Sequence, residues 1–124
     1  MIDYLSVTVA AVAVYILGFI WYAKPVFGER WMKLAGLKKM EPNAAGMFWH
    51  FVATYVLVIV LDMFVGALAM RNALITSALI WVGFFASTSL GGWLWEKKPF
   101  ALWVLNNAFN LVMLMLATAI LVWL

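Results

Sequence analysis

The stretch from Ala73 to Leu94, ALITSALIWVGFFASTSLGGWL, contains no charged side chain and no proline. A hydrocarbon core about 30 Å thick is crossed by roughly 20 apolar residues rising 1.5 Å each, so this stretch has the length and composition of a transmembrane helix. A helix is the required form, because lipid offers no partner to an open backbone N–H or C=O.

Working outward, three more apolar runs of similar length are found, at about residues 4–22, 45–69 and 100–124. With 69% hydrophobic and 10% charged side chains, the chain lies far outside the composition of soluble domains. The reading is therefore an all-α membrane protein: a single transmembrane domain over residues 1–124, with four spans at about 4–22, 45–69, 73–94 and 100–124. Asp3 precedes the first run and no lysine or arginine does, which separates that run from a secretory signal peptide.

Lys24, Arg30, Lys33, Lys38 and Lys39 lie in the first connection and Lys97 and Lys98 in the third, whereas the second holds only Arg71. Under the positive-inside rule the first and third connections are cytoplasmic, and both termini are extracytoplasmic. The net charge of +3 is thus an orientation signal and not a nucleic-acid footprint, which needs a basic face. Phe27, Trp31 and Leu34 recur at i, i+4 and i+7 beside Arg30 and Lys33. That pattern predicts a short interfacial helix at about residues 26–36 in the cytoplasmic headgroup layer. Trp21, Tyr22, Trp49, Trp93, Trp95 and Trp103 fall near the same span ends, where amphipathic rings act as anchors. Pro25, Pro42 and Pro99 lie outside the spans, so no proline kink is expected.

Gly18-x-x-Trp21-Tyr22, followed by Phe27-Gly28-x-x-Trp31, resembles the opening of a family of small prokaryotic four-helix membrane proteins known only as a domain of unknown function. Trp81-x-Gly83-Phe84-Phe85-Ala86-Ser87-Thr88, Glu96-x-x-Pro99 and Leu105-Asn106-Asn107-Ala108-Phe109-Asn110 continue the resemblance in order. It implies a topology and a prokaryotic cytoplasmic membrane, not an activity. The chain departs from the family pattern at Ser87, where members often carry proline, and at Phe109-Asn110, where they often carry Tyr-His. Asn110 can hydrogen-bond but cannot exchange a proton near neutral pH.

Counted from the cytoplasmic ends, Tyr15, His50, Thr54, Tyr55, Ser87, Thr88, Asn106, Asn107 and Asn110 fall within roughly 6 to 17 Å of that face. Two readings stand. Tyr15, Thr54, Tyr55, Ser87, Thr88, Asn106 and Asn110 form a ligand-binding face for a small solute, or they bond one another across helices and hold the bundle together. Asp62 is the one ionisable residue placed well inside a span, roughly 12 Å below the outer surface. A lone charge there costs on the order of 2.5 to 3.5 kcal/mol, so Asp62 is a candidate proton or cation site, with Ser6, Thr8, Ser77 and Thr118 as groups at similar depth. Gly83, Ser87 and Gly91 put small residues along one side of the third span, a helix-packing signal within the bundle or between protomers.

The single histidine, the absence of cysteine and the lack of a Ser-His-Asp set at one depth leave no expected metal site, cofactor or catalytic machinery. The expected function is a small homo-oligomeric bundle in the lipid bilayer that binds or conducts a small solute or ion. The rivals are a non-catalytic assembly component and, last, a lipid-facing enzyme.

Overall fold

The computed structural model describes residues 3–38 and 43–124. Lys39 and Pro42, read above as part of the first connection, lie outside the described residues. Four helices are long and apolar enough to cross a membrane: Tyr4–Trp21, Ala44–Val65, Met70–Leu94 and Phe100–Trp123. We label Tyr4–Trp21 α1, Glu29–Ala35 α2 and Ala44–Val65 α3. The third span is α4 (Met70–Ile80) and α5 (Ser87–Leu94), joined by a π-helical turn over Trp81–Ala86, and Phe100–Trp123 is α6. No strand occurs among the described residues.

Local chemistry sets the ends of these helices. The Asp3 carboxylate accepts from the Leu5 amide at 3.1 Å and caps α1. Hydrogen bonding from Ser6 holds the Asp3 carboxyl below its ordinary range. Asn43 caps α3 by accepting from the Gly46 amide at 3.0 Å, satisfying a donor the first helical turn leaves open. Gly36, at φ +77°, ends α2 with Leu37 N–H on Met32 O at 2.8 Å and Gly36 N–H on Lys33 O at 3.3 Å. This left-handed stop is one that a side chain would strain. The second span ends at Val65 instead of continuing to 69, with Gly66 N–H bonded to Asp62 O at 2.8 Å. The third begins at Met70 instead of 73.

More of α6 is buried than of any other span. Val7, Ala10, Ala11 and Val14 of α1, Val58, Leu61 and Val65 of α3, Ala73 of α4, and Met113, Leu114, Ala117 and Leu121 of α6 form one buried cluster. These residues belong to the half of the bundle nearer the chain termini. At the other end, which carries the basic connections, every residue from Asn43 to His50 is exposed. α3 is packed along its later turns, at Thr54, Val58, Leu61 and Val65, and along its earlier ones is joined to α1 through Tyr15.

The short helix α2 exists where the pattern predicts it, but it packs against α6, and Met32 is buried there. The chain turns back onto α1 with Val26 N–H and Gly28 N–H both on Ala23 O, at 3.0 and 2.9 Å. A Cβ on Gly28 would meet the Tyr22 carbonyl oxygen and lie 2.7 and 2.9 Å from the Ala23 carbonyl carbon and oxygen.

In the third span no proline interrupts the helix, yet a π-turn does. Ser87, Thr88 and Ser89 donate to the carbonyls of Gly83, Phe84 and Phe85, four residues back, a pattern that loosens and bends helices. A π-turn accommodates one extra residue, which advances every later side chain by about 100° around the axis. Ala73 and Ser77 are buried. A regular helix would continue that face through Phe84 and Thr88, both of which are exposed, whereas Phe85 joins the core and Ala86 is buried. The same shift turns the Gly83, Ser87 and Gly91 stripe away from the bundle. Gly83 and Ser87 are exposed, nothing lies within 4 Å of a Cβ built on Gly83, and Gly91 meets only its own neighbour Trp95.

These two glycines make opposite predictions. Gly28→Ala forces backbone apart and is expected to cost about 1–3 kcal/mol, while Gly83→Ala stays within about 0.5 kcal/mol of the parent. Unfolding curves in mixed detergent micelles measure both, and equal costs would refute the assigned packing.

Candidate functional site

The polar layer expected at the basic end is present, but α6 divides it into two clefts. The first, of about 550 Å³, lies between α1, α3 and α6 and is lined by Val14, Tyr15, Gly18, Phe19 and Tyr22, by Asn43, Gly46, Met47, His50 and Thr54, and by Phe109 and Met113. The second, of about 400 Å³, lies between α5, the connection after it and the start of α6. Thr88, Ser89, Glu96, Lys98, Asn106, Asn107 and Asn110 are its polar lining.

The residues of the expected binding face are therefore distributed. Tyr15 and Thr54 line the first cleft, and Thr88, Asn106 and Asn110 the second. Tyr55 lines neither; its hydroxyl pairs with that of Thr8 at 2.8 Å. Ser87, exposed, donates to Gly83 O at 2.6 Å and also lines neither. Tyr15 donates to Met47 O at 2.6 Å, tying α1 to α3, and Thr54 donates to His50 O at 2.9 Å. The His50 ring stands edge-on to Tyr15 at 5.8 Å.

Asn107 is the centre of the polar network. Only 2% exposed, it donates from Nδ2 to Ser89 Oγ at 2.9 Å and to Trp103 O at 3.0 Å, and its Oδ1 lies 3.5 Å from Asn110 Nδ2. Its carbonyl accepts from the Trp81 indole at 2.8 Å, and the Trp103 indole donates to Ala86 O at 3.3 Å beside the π-turn. Asn107, Ser89, Trp81 and Trp103 were not among the expected binding residues, and Trp103 was read as a membrane anchor. The available signal was the spacing Trp103 to Asn107, one helical turn. Asn106 Oδ1 accepts from the Tyr22 hydroxyl at 2.8 Å, whereas its Nδ2 bonds to no described residue. Among the described residues the Asn110 side chain makes only the 3.5 Å contact. The second cleft thus presents amide groups with unused hydrogen-bonding capacity.

The motif residues of the opening segment come together as one aromatic cluster. Trp21 packs on Phe27 at 4.8 Å and on Phe109 at 5.9 Å, and Tyr22 lies edge-on to Trp31 and to Phe109, both at 5.4 Å. A Cβ on Gly18 would sit 3.6 Å from Phe109, an ordinary contact, and Gly28 closes the turn. Trp21 and Tyr22 are half-buried in this cluster. The Trp21 indole N–H is buried and donates to no described residue.

Asp62 lies three residues before the end of α3, roughly 5 Å along the helix, and not deep in a span. The groups expected to satisfy it are engaged elsewhere: Ser77 pairs with Thr118, and Thr8 with Tyr55. Asp62 is half-buried, folds back over Gly66 and sits roughly 12 Å beyond Thr54 on the same helix, so it joins neither cleft. No three His, Asp or Glu side chains converge among the described residues.

A family model described as "Protein of unknown function (DUF1761)" matches residues 5–122. No curated protein and no solved structure matches the chain.

Tyr22→Phe keeps the ring contacts and removes the bond to Asn106, with an expected loss of about 0.6–1 kcal/mol. Asn107→Ala removes the network's centre and is expected to cost more, about 1–3 kcal/mol. Reversible unfolding in mixed micelles checks the order, and an Asn107 variant as stable as the parent would contradict its assignment.

Proposed function

The chain belongs to the DUF1761 family of unknown function, and we propose that it is a non-catalytic membrane protein that binds a small polar solute in the cleft between α5 and α6. One observation carries this reading: Asn106 and Asn110 face a cleft of about 400 Å³ with hydrogen-bonding groups left over, and Glu96 and Lys98 stand at its rim. Paired amides with a charge of each sign at the edge suit a neutral amide or a zwitterion. A half-buried amide with an open donor or acceptor gains affinity for a ligand that completes its hydrogen bonds. The positive-inside rule supports an orientation with this end of the bundle in the cytoplasm, and the resemblance of the opening motif to a prokaryotic family supports a prokaryotic cytoplasmic membrane. The tight packing of Val7, Ala10, Ala11, Val58, Leu114 and Ala117 opposes a path through a single protomer. The solute is therefore bound from one side, and Asp62 is outside this machinery.

The rival reading, assembly with further copies, is favoured by the outward Gly83 and by the low burial of the third span. Crosslinking through a cysteine placed at Gly83 tests it, with a specific dimer band as the supporting result.

For the solute reading, nanodisc-embedded protein is scanned by thermal shift against neutral amides and zwitterionic amino acids. A ligand should raise the Tm of the parent and of Gly83→Ala but not of Asn110→Leu. A shift retained in Asn110→Leu, or none across the panel, rejects the cleft as the site.

A further inference from the structure

The first cleft differs from the second in what its polar atoms are doing. The hydroxyls of Tyr15, Thr54 and Tyr22 are all committed, to Met47 O, His50 O and Asn106 Oδ1, and the Asn43 side chain caps α3. The rest of the lining is apolar and aromatic, at Val14, Gly18, Phe19, Met47, Phe109 and Met113, apart from the His50 ring, which stands edge-on to Tyr15. Such a surface offers little to a polar solute and favours a hydrocarbon occupant.

Its dimensions and position match one. From Val14 to Tyr22 the α1 wall runs roughly 12 Å, and from Asn43 to Thr54 the α3 wall runs roughly 16 Å, against about 15 Å for one leaflet of the hydrocarbon core. α1 and α3 are both membrane spans. α2 packs on α6 and contributes no residue to the cleft lining, so among the described residues nothing closes the gap toward lipid. The mouth is at the basic end. Lys24 follows Tyr22 of the cleft wall by two residues, and Lys24, Arg30 and Lys33 are exposed. Each such cation near a membrane surface attracts anionic lipid at roughly fivefold in affinity. The amino end of α3, capped by Asn43 at the same mouth, adds a positive partial charge.

We propose that the α1/α3 cleft is a lipid site that takes one acyl chain of an anionic phospholipid, with its phosphate held by Lys24, Arg30 and Lys33. The site is separate from the solute cleft, from which α6 divides it, and does not depend on that reading.

The test is native mass spectrometry of the full chain released from nanodiscs of equimolar phosphatidylglycerol and phosphatidylcholine. The parent and Gly83→Ala are expected to retain phosphatidylglycerol in preference. Met47→Trp and Thr54→Phe, which fill the cleft from two positions, are expected to lose the retained lipid by about tenfold. Circular dichroism and gel filtration identify which of the two remains folded. The triple variant Lys24→Gln, Arg30→Gln, Lys33→Gln is expected to keep a lipid but lose the preference for phosphatidylglycerol. Parent-level retention in a folded, cleft-filled variant overturns the site. An unchanged preference in the triple variant overturns the headgroup assignment. A lipid-free dimer in place of a lipid-bound chain would assign the cleft to a second copy and overturn the proposal.

Discussion

The close seam between α1 and α6 is the constraint on which the rest of this molecule depends. Ala10 and Ala11 on one side and Ala117 on the other, all fully buried, belong to one cluster with Val7, Val58 and Leu114. In lipid there is no hydrophobic force between helices, so association rests on such close packing and on hydrogen bonds such as Ser77 to Thr118. Because small side chains concentrate in the half nearer the termini, that half closes. The other half carries Tyr15, Phe19, Tyr22 and Phe109 between α1, α3 and α6, and the first cleft lies among them.

Within the open half, hydrogen bonding decides what each cleft offers. On the α3 side the hydroxyls are used on backbone carbonyls, so the surface is left apolar. On the α5 side Asn107 is saturated but its neighbours on α6 are not. Tyr22 lies between the two, lining one cleft while its hydroxyl holds an asparagine of the other. The aromatic cluster formed by Trp21, Phe27, Trp31 and Phe109 fixes that tyrosine, which gives the opening motif a structural purpose.

Much of this was legible in the sequence and some was not, for a physical reason. The number of spans follows from run lengths and a fixed rise per residue, and a short helix at about residues 26–36 from the i, i+4, i+7 pattern, found at Glu29–Ala35. Which way a side chain points around its helix does not, because helices that are apolar on every side carry no directional pattern. Hence the sequence reads as one polar layer where α6 separates two, and the partners of Trp21 and Trp103 inside the bundle carry no signal in it. Asp62 was placed too deep because Gly66 to Ala69, though apolar, do not continue the helix. The π-turn was invisible for a related reason: its residues, WVGFFA, have the hydropathy of any span.

That turn behaves as a phase element. The face that begins with Ala73 and Ser77 reaches α6 through Phe85 and Ser89 only because one residue has been absorbed between Trp81 and Ala86. Removing a single residue there would therefore close the turn into a regular helix and leave Phe85 and Ser89 facing α6, whereas winding it regularly with no residue removed would present Phe84 and Thr88 to α6 and turn Phe85 and Ser89 away. The reading frame of the helix, and not the identity of any one side chain, decides which hydroxyl meets Asn107.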